Sequence, residues 1–371
     1  ICAVSLFCQA HAHNGVSLAY QRHRLSLCCI FQHIPPNPVK NLHKFYKQAQ
    51  DNKSFFGSIP SLSIILPSFL GSIVMDILKS ASLKSYNTFG IDASAKLFAI
   101  VTSLAEIQEL YAHFKNENKL PLGGGSNILL TQNFDGLVTK LNLNGKEIVK
   151  ETEDHVWLKV GAGEAWHDFV IWCVENNWSG VENMSLIPGS VGAAPMQNIG
   201  AYGAELKDVF KSLEAWLPED NSVEVFDNKT CDFGYRSSIF KKQLKGKAII
   251  LNVTFKLSKK QNLNTSYGSI EEELALMKIS NPTIKNVSDA VIRIRQSKLP
   301  NPAEIGNAGS FFKNPVVPTE TVVQLLKKYP NAPNYNVGEG LVKVPAGWLI
   351  ETVGWKGKVF DDRFGVHKKQ A

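Results

Sequence analysis

Cysteine is nearly missing from the main part of this sequence. Four of the six cysteines lie before residue 75, and only Cys173 and Cys231 follow. Two distant thiols without CxxC spacing indicate neither a disulfide framework nor a structural zinc site, so we expect no bound metal. The scarcity of cysteine fits a protein of the reducing cytoplasm.

After the first 74 residues, the sequence also lacks a strong charge of one sign. The formal net charge is +7, but residues 1–74 carry six Lys or Arg against one acidic residue, which leaves +2 for the remainder. This near balance removes the compositional support for a nucleic-acid partner. With 44% hydrophobic residues, the chain can bury about two or three cores of ordinary size, as expected of a soluble globular protein.

A long apolar run is missing as well. The most apolar stretch, SLSIILPSFLGSIVM at residues 61–75, is interrupted by Pro67 and Gly71 and is too short to span a bilayer. An alternative is that residues 1–12 form the tail of a signal peptide. The simplest interpretation starts from the first methionine, Met75, because no motif precedes it. We expect residues 1–74 to be a disordered, non-native upstream extension, and we expect no membrane partner.

Periodic structure begins in the next segment. LFAIV at residues 97–101 predicts a buried strand, and SLAE at residues 103–106 is a capping box that opens a helix. Short strands are predicted at residues 120–122 and 156–160, and each runs into a glycine-rich turn. A helix rich in aromatic residues is predicted over residues 166–176.

The segment IPGSVGAAPMQNIGAYGAE at residues 187–205 is rich in small residues and has almost no charge. Such a composition indicates a backbone that packs closely against something flat or bulky. Strands are predicted near residues 248–257, and the prolines of LPNP at residues 299–302 mark the best candidate for a domain boundary.

Two glycine loops are candidates for holding a phosphate. GGGSN at residues 123–127 and GAG at residues 161–163 each follow a predicted strand, and glycine lets backbone N–H groups approach an anion. GGGSN is not GxGxxG, and no GK[ST] follows it, so neither the Rossmann nor the P-loop signature is present. For one such loop alone, a plain tight turn is an equally good interpretation.

Six motifs resemble those of a known family, the UDP-N-acetylenolpyruvoylglucosamine reductases, flavoenzymes called MurB. They are NTFGIDASA (residues 87–95), GGGSNIL (123–129), VGAGEAWH (160–167), IPGSVGAAPMQNIGAYGAEL (187–206), FGYRSSIFK (233–241) and GNAGSFFKNP (306–315). The resemblance covers about residues 86–371. It implies an α+β protein with the FAD-binding fold of the vanillyl-alcohol-oxidase type, in which two flavin-binding subdomains precede a third, substrate-binding α+β domain.

The resemblance also implies domain bounds and cofactor contacts. We expect flavin-binding subdomains at residues 75–145 and 146–299 and the substrate-binding domain at residues 300–371. FAD would lie along the two glycine loops and the uncharged segment. The residues expected to contact it are Gly123, Gly124, Gly125, Ser126, Asn127, Gly161, Gly163, Pro188, Gly189, Gly192, Ala193, Gln197, Asn198, Gly200 and Gly203.

The implied reaction uses NADPH to reduce FAD, which then reduces UDP-N-acetylglucosamine enolpyruvate to UDP-N-acetylmuramate. Arg236 matches the family arginine that stabilises the enolate, a task that suits a planar and permanently charged side chain. Ser310 matches the proton donor, because a carbanion is basic enough to take a proton from a hydroxyl in a dry pocket. Without the resemblance, Arg236 is as well explained by a surface ion pair and Ser310 by a turn cap.

Further matches concern the substrate. The residues expected to contact it are Tyr235, Tyr267, Lys298, Asn314 and Gln370. The loop that carries Tyr267 resembles the tyrosine loop of the type I branch. The family role implies peptidoglycan precursor synthesis, and with it cell wall biogenesis, cell shape and cell division, in a bacterial cytoplasm; we expect a monomer.

One departure from the family concerns the end of the chain. The sequence stops at Ala371 inside the third domain, whereas family members continue and carry there a glutamate that assists protonation. We therefore expect a truncated chain with impaired turnover. The alternatives are another flavin oxidoreductase of the same fold and a catalytically impaired fragment that binds FAD or a nucleotide sugar.

Overall fold

The computed structural model describes residues 61–68 and 71–370, with side chains from Met75 onward. The described residues from 63 onward belong to one compact unit. Residues 61–68 and 71–74, which we expected to be disordered, are strands. The rest of that expected extension lies outside the described residues.

The first sheet has five strands in the order β1-β2-β3-β5-β4. Its strands are β1 (Ser61–Ser68), β2 (Gly71–Ser82), β3 (Ser94–Val101), β4 (Lys119–Leu122) and β5 (Phe134–Leu141). β3 and β4 both pair parallel to β5, so the connection from β3 to β4 crosses over through helix α1 (Leu104–His113). As predicted, Ser103 caps this helix by accepting a hydrogen bond from the Glu106 N–H at 3.2 Å. The predicted capping box is only half formed, because the Glu106 carboxylate accepts from the Thr102 N–H at 2.6 Å.

The second sheet is antiparallel throughout, in the order β11-β10-β12-β7-β6. Its strands, with the small β8–β9 hairpin that lies between them in sequence, are β6 (Lys146–Glu151), β7 (His155–Gly161), β8 (Gly200–Ala201), β9 (Ala204–Glu205), β10 (Phe210–Leu217), β11 (Ser222–Asp227) and β12 (Ile249–Ser258). β7 contains the strand predicted at residues 156–160, and its positions alternate between buried and half-buried, as the two faces of a strand do.

Helix α2 (Trp166–Glu175) packs on this sheet through aromatic side chains. Phe169 lies against Phe255 of β12 with ring centroids 4.6 Å apart, and Trp166 lies 6.0 Å from the same ring. The Trp166 indole N–H also donates to the Met184 carbonyl at 3.0 Å. Because these rings are fully buried, they fix the start of α2 and the chain near residue 184, from which the uncharged segment begins.

The remaining elements follow in sequence order. Helices α3 (Gly268–Leu276) and α4 (Ile284–Lys298) share a small apolar cluster of their own. After the predicted boundary at residues 299–302 come β13 (Val316–Pro318), α5 (Thr319–Lys328), β14 (Tyr335–Gly338), β15 (Leu341–Lys343), α6 (Ala346–Thr352), β16 (Val359–Phe360) and β17 (Phe364–Gly365). Within the described residues, no helix is both long enough and apolar enough to cross a membrane.

Candidate functional site

The loop of residues 123–127 leaves β4 and packs directly against the uncharged segment. A Cβ atom at Gly124 would lie 2.6 Å from the Cα atom of Gly189, and one at Gly125 would overlap the Tyr86 carbonyl oxygen. Gly125 also has a φ of 66°, which favours glycine. These glycines are therefore needed, first of all, because two backbone segments approach each other closely.

The same loop presents unused hydrogen-bond donors. In the part of the chain that the structure describes, the backbone N–H groups of residues 124–127 have no acceptor. Beneath the loop, the Lys140 ammonium donates to the Gly123 carbonyl at 2.8 Å, and burial lowers the pKa of this lysine. A row of N–H groups above a half-buried cation is a suitable place for an anionic group.

Side chains join this loop to the uncharged segment. The Ser126 hydroxyl donates to the Pro188 carbonyl at 3.2 Å, and the Asn127 amide donates to the Gln197 side-chain oxygen at 3.2 Å. The second glycine loop reaches the same segment, since a Cβ atom at Gly192 would overlap Ala162. The predicted cofactor-binding loops thus converge on one another.

Close packing also explains the glycines at 161 and 163. A Cβ atom at either position would overlap backbone atoms of residues 142–144, which lie beside them. From the sequence we expected glycine to be needed here so that a bound group could approach the backbone. In the structure, glycine is needed because a neighbouring stretch of chain lies against it. Asn198 is a comparable case. Its buried side chain bonds to Lys207 N–H, to the Glu205 carboxylate and to the Gly234 carbonyl, so protein partners use its amide.

Tyr235 and Arg236 form the tip of a tight turn. Gly234 and Ser237 exchange backbone hydrogen bonds across it, and Arg236 has a φ of 52°, a conformation usually left to Gly or Asn. The guanidinium donates to the carbonyl of Asn198 at 3.2 Å and to that of Gly200 at 2.5 Å. The turn therefore aims Arg236 at the uncharged segment, and further N–H groups of its fork remain for a ligand.

Several cations surround the Tyr235 ring. The Arg236 guanidinium lies 5.4 Å from the ring centroid, and the Lys343 ammonium of β15 lies 5.2 Å from it. Lys241 donates to the Arg236 carbonyl at 3.4 Å; its pKa is lowered by burial and by the charges of Lys313 and Lys245. Among the described residues, no carboxylate forms an ion pair with Arg236 or with these lysines.

The segment GNAGSFFKNP spans the distance between the glycine loop and this basic cluster. At its start, the Asn307 N–H donates to the Thr88 carbonyl at 2.8 Å, and Thr88 itself bonds to the Gly125 carbonyl. At its end, the Asn314 N–H donates to the Tyr235 hydroxyl at 3.3 Å. Ser310 lies between these two attachments.

The surroundings of Ser310 differ from those we expected. Ser310 is exposed, its hydroxyl has no hydrogen-bond partner among the described residues, and Phe311 is 38% exposed. The dry pocket that we expected around the Ser310 hydroxyl is therefore not provided by the protein alone. Phe311 instead contacts Phe89 edge to face, with centroids 6.4 Å apart, on the side of the glycine loop.

Three predicted substrate residues lie apart from Tyr235 in the contacts that the structure describes. Tyr267 is 52% exposed and contacts Tyr202 edge to face at 5.5 Å. Lys298 is the exposed last residue of α4, and its backbone bonds to His367. Gln370 is half-buried. No hydrogen bond among the described residues joins these three to Tyr235 or Arg236.

Sequence reasoning missed several residues of the site. Lys140, Lys241 and Lys343 lie on or beside different elements, and neither Lys140 nor Lys343 belongs to a pattern that implies a ligand. For Lys241 there was one signal, its place at the end of the FGYRSSIFK motif.

Within the described residues, no group of three or more His, Cys, Asp or Glu could hold a metal ion.

Two protein-family models match the chain. One is described as an FAD binding domain and covers residues 95–225. The other is the C-terminal domain of UDP-N-acetylenolpyruvoylglucosamine reductase and covers residues 301–371. The first includes both glycine loops and all of β10, and the second includes the Ser310 segment.

Curated proteins with the same description are similar over most of the chain. The UDP-N-acetylenolpyruvoylglucosamine reductase of Flavobacterium johnsoniae is 55% identical over 80% of this chain and 88% of its own length. That of Amoebophilus asiaticus is 50% identical over the same shares, and that of Pseudomonas aeruginosa is 45% identical, again over 80% and 88%.

A solved structure supports the fold. The crystal structure of MurB from Thermus caldophilus aligns with a TM-score of 0.54 and 23% identity, over 80% of this chain and 89% of that one. Together with the FAD binding domain, this confirms the predicted α+β fold of the vanillyl-alcohol-oxidase type. By its identity to curated relatives over four fifths of its length, the chain belongs to the UDP-N-acetylenolpyruvoylglucosamine reductase (MurB) family.

Proposed function

We propose that this protein reduces the enolpyruvyl group of UDP-N-acetylglucosamine enolpyruvate, with FAD as cofactor and NADPH as the source of the hydride. The product would be UDP-N-acetylmuramate. Bound along the glycine loops, FAD would supply hydride transfer from the nicotinamide to the methylene carbon of the enolpyruvyl group. The protein's own task is to bind the three molecules, to stabilise the negative charge that develops on the substrate, and to supply one proton.

The glycine loop fits the diphosphate of FAD. The unused N–H groups of residues 124–127 offer donors to phosphate oxygens, and the half-buried Lys140 adds a positive charge that water screens only in part. The uncharged segment packs on this loop, and its small residues leave its backbone free to approach a flat ring. Ser126, Asn127 and Gln197 would hold the two parts in register.

The basic cluster around Tyr235 is the observation that carries the proposal. Arg236, Lys241, Lys313 and Lys343 lie together without a paired carboxylate in the described part of the chain, so their charge is available to a ligand. The proposed substrate carries a carboxylate and a diphosphate, and NADPH is also anionic. A cluster of this kind therefore suits both ligands better than it suits the neutral alcohols of related flavin oxidases.

We assign the two chemical roles to Arg236 and Ser310. Arg236 would bind the substrate carboxylate through its free N–H groups and stabilise the enolate that hydride addition leaves there. Ser310 would give its hydroxyl proton to the carbon next to the carboxylate. Because Ser310 is exposed in the protein alone, bound substrate would have to cover it for the step, and water would restore its proton afterwards.

Other residues would act on the nucleotide sugar. Asn314, which bonds to the Tyr235 hydroxyl, and Lys298 would meet the diphosphate or uridine, together with Gln370. Tyr267 would close over the substrate from its exposed position beside Tyr202, as in the type I branch. In the cell this activity would serve peptidoglycan precursor synthesis in the cytoplasm, with the protein acting as a monomer.

The test is a pair of anaerobic half-reactions on the full chain loaded with FAD. Addition of NADPH should bleach the flavin absorbance, and subsequent addition of UDP-N-acetylglucosamine enolpyruvate should restore it. A parallel sample that receives UDP-N-acetylglucosamine, which lacks the enolpyruvyl group, should stay bleached.

The outcomes separate the candidate functions. Bleaching without recovery would overturn the assigned substrate and leave a flavin reductase with another acceptor. Binding of FAD without bleaching would point to a flavin-binding protein that does not use NADPH.

A further inference from the structure

The uncharged segment begins at a strained peptide that is held on both sides. Leu186, which directly precedes this segment, has a φ of 58°, a conformation that non-glycine residues rarely adopt. Its N–H donates to Nδ1 of His167 on α2 at 3.0 Å, and its carbonyl accepts from Nε of Arg295 on α4 at 3.2 Å. Since a strained residue persists only where its neighbours enforce it, these two side chains keep Leu186 in place.

Arg295 also reaches the far end of the same segment. Its guanidinium lies beside the Tyr202 hydroxyl, and the two groups interact electrostatically. Tyr202 and Gly203 both have positive φ and form the two-residue turn of the β8–β9 hairpin. One side chain on α4 thus contacts residue 186 and residue 202, on either side of the stretch that carries Pro188, Gly189 and Gly192.

The charge of Arg295 is otherwise unused. Burial lowers its pKa, and no carboxylate among the described residues pairs with it. A guanidinium that is largely removed from water and lacks an ionic partner is costly, which argues that its hydrogen bonds to the segment are needed. About two helical turns earlier, Ser288 of α4 bonds to Ser185 at 2.8 Å, so the same face of α4 contacts the chain twice.

We infer that Arg295 is a positioning residue, which holds the backbone of residues 187–202 in the form that receives the flavin ring by bonding to Leu186 at one end and lying against Tyr202 at the other. The part of this inference that concerns flavin rests on the proposed function. The ordering of the segment does not, and it can be measured on the protein without cofactor.

The experiment measures amide hydrogen exchange of the flavin-free full chain. In Arg295→Gln, peptides that cover residues 186–203 should exchange about tenfold or more faster, while peptides of β10 and β12 should not change. Arg293→Gln is the matched control, because Arg293 lies on the same helix and pairs with Glu273 on the surface at 2.7 Å. If residues 186–203 of the Arg295→Gln protein exchange at the wild-type rate, the inference is wrong.

Two milder variants keep the test decisive if Arg295→Gln does not fold. Tyr202→Phe removes one hydroxyl and should raise exchange of residues 186–203 by a few-fold, with no further increase when it is combined with Arg295→Lys. Arg295→Lys keeps the charge but lacks the planar fork that reaches both ends of the segment. Its exchange rate for residues 186–203 should therefore lie between those of the wild-type protein and Arg295→Gln. Additive effects in the double variant, or no effect in both single variants, would contradict the proposed link.

A second readout follows the flavin itself. Arg295→Gln should bind FAD about tenfold to a hundredfold more weakly and alter the visible circular dichroism of the bound flavin, with partial recovery in Arg295→Lys. If the wild-type protein binds no FAD, the proposed function fails, whereas the exchange result still decides whether Arg295 orders the segment. If wild type and Arg295→Gln bind FAD alike, with identical spectra, the positioning role is wrong and the proposed function stands.

Discussion

The hydroxyl of Tyr235 accepts a hydrogen bond from the backbone N–H of Asn314 at 3.3 Å, although 79 positions separate the two residues. This bond links the turn that carries Arg236 to the segment that carries Ser310. Asn314 is further fixed by its side-chain oxygen, which accepts from the Ala346 N–H at the start of α6. The hydrogen bond between Tyr235 and Asn314 therefore fixes the position of Arg236 relative to Ser310, the two proposed catalytic residues.

Tyr235→Phe tests this link. Removal of the hydroxyl leaves the Asn314 N–H without its partner and should lower kcat/KM for the enolpyruvyl substrate about five- to tenfold, the effect of one lost neutral hydrogen bond. Reduction of FAD by NADPH should be less affected. Tyr329→Phe is the control, since that ring packs on Trp348 in the same part of the chain. Equal kinetics for Tyr235→Phe and Tyr329→Phe would show that the bond is incidental.

Ser310→Ala tests proton donation. We expect the reoxidation step to slow about a hundredfold to ten-thousandfold, the usual contribution of general acid catalysis, because no other hydroxyl replaces it in the segment. Stopped-flow absorbance at the flavin band measures both half-reactions in one experiment. Bleaching by NADPH should keep its wild-type rate and so serves as the internal control. Reoxidation at the wild-type rate would remove Ser310 from the mechanism.

Arg236→Lys separates charge from geometry. Lysine keeps the positive charge but cannot donate to the Asn198 and Gly200 carbonyls and to a carboxylate at once, so kcat/KM should fall about a hundredfold or more. Arg363→Lys is the control, because Arg363 is exposed and lies 3.7 Å from Asp361. The measurement is kcat/KM of both variants by steady-state kinetics. An Arg236→Lys enzyme with the wild-type kcat/KM would show that the planar guanidinium is not required.

Gly124→Ala tests the close packing of the two loops. A Cβ atom 2.6 Å from the Gly189 Cα forces backbone apart, so the free energy of unfolding should fall by about 1–3 kcal/mol, as in overpacked sites. FAD affinity should fall with it. Gly268→Ala is the matched control, since a Cβ atom at Gly268 would meet nothing within 4 Å. Urea unfolding of both variants gives the comparison, and equal stability would mean that the loops separate without cost.

His167 makes stability depend on pH. Burial lowers its pKa from the ordinary value of 6.5, the charge of Arg295 lowers it further, and Asp168 opposes them. Below about pH 6.5 the unfolded chain binds a proton at His167 that the folded protein does not bind. The contribution of neutral His167 to the free energy of unfolding is therefore complete at higher pH and is lost as the pH falls. In addition, protonated Nδ1 could no longer accept from Leu186.

His167→Asn should weaken this dependence, because an amide oxygen can still accept from Leu186 N–H but does not titrate. The measurement is the free energy of unfolding of both proteins from about pH 5 to 8, the range over which His titrates. All other titrating groups are shared, so the difference between the two curves reports on His167. Parallel curves would rule out its contribution.

Local patterns predicted the elements around the site well. The predicted strands at residues 97–101 and 156–160 are parts of β3 and β7, and the predicted helix at 166–176 is α2 with an end one residue earlier. Alternation of apolar residues and a capping serine act over a few neighbours, which is why sequence alone predicts them. The domain bounds at residues 75–145, 146–299 and 300–371 stay predictions.

The candidate site was predictable only in part. The motifs led to the family and to FAD, and the fold confirms that their loops converge. No pattern indicated Lys140, Lys343 or Arg295, because each reaches the site from an element that is distant in sequence. The roles of Ser310, Arg236 and the other assigned contacts stay predictions, and the exposure of Ser310 is a property that its sequence neighbours did not foretell.

The sequence by itself determined which residues can turn, cap and alternate, and through its motifs which family the chain belongs to, because these properties depend on side-chain identity and short spacing. Only the tertiary structure decided why the glycines are needed and which cations remain without a carboxylate. It also decided that Arg295 bonds to Leu186 at the start of the uncharged segment and interacts with Tyr202 near its end. Such relations depend on which distant backbones and charges meet in space, and long-range packing settles this only once the sheets and helices have assembled.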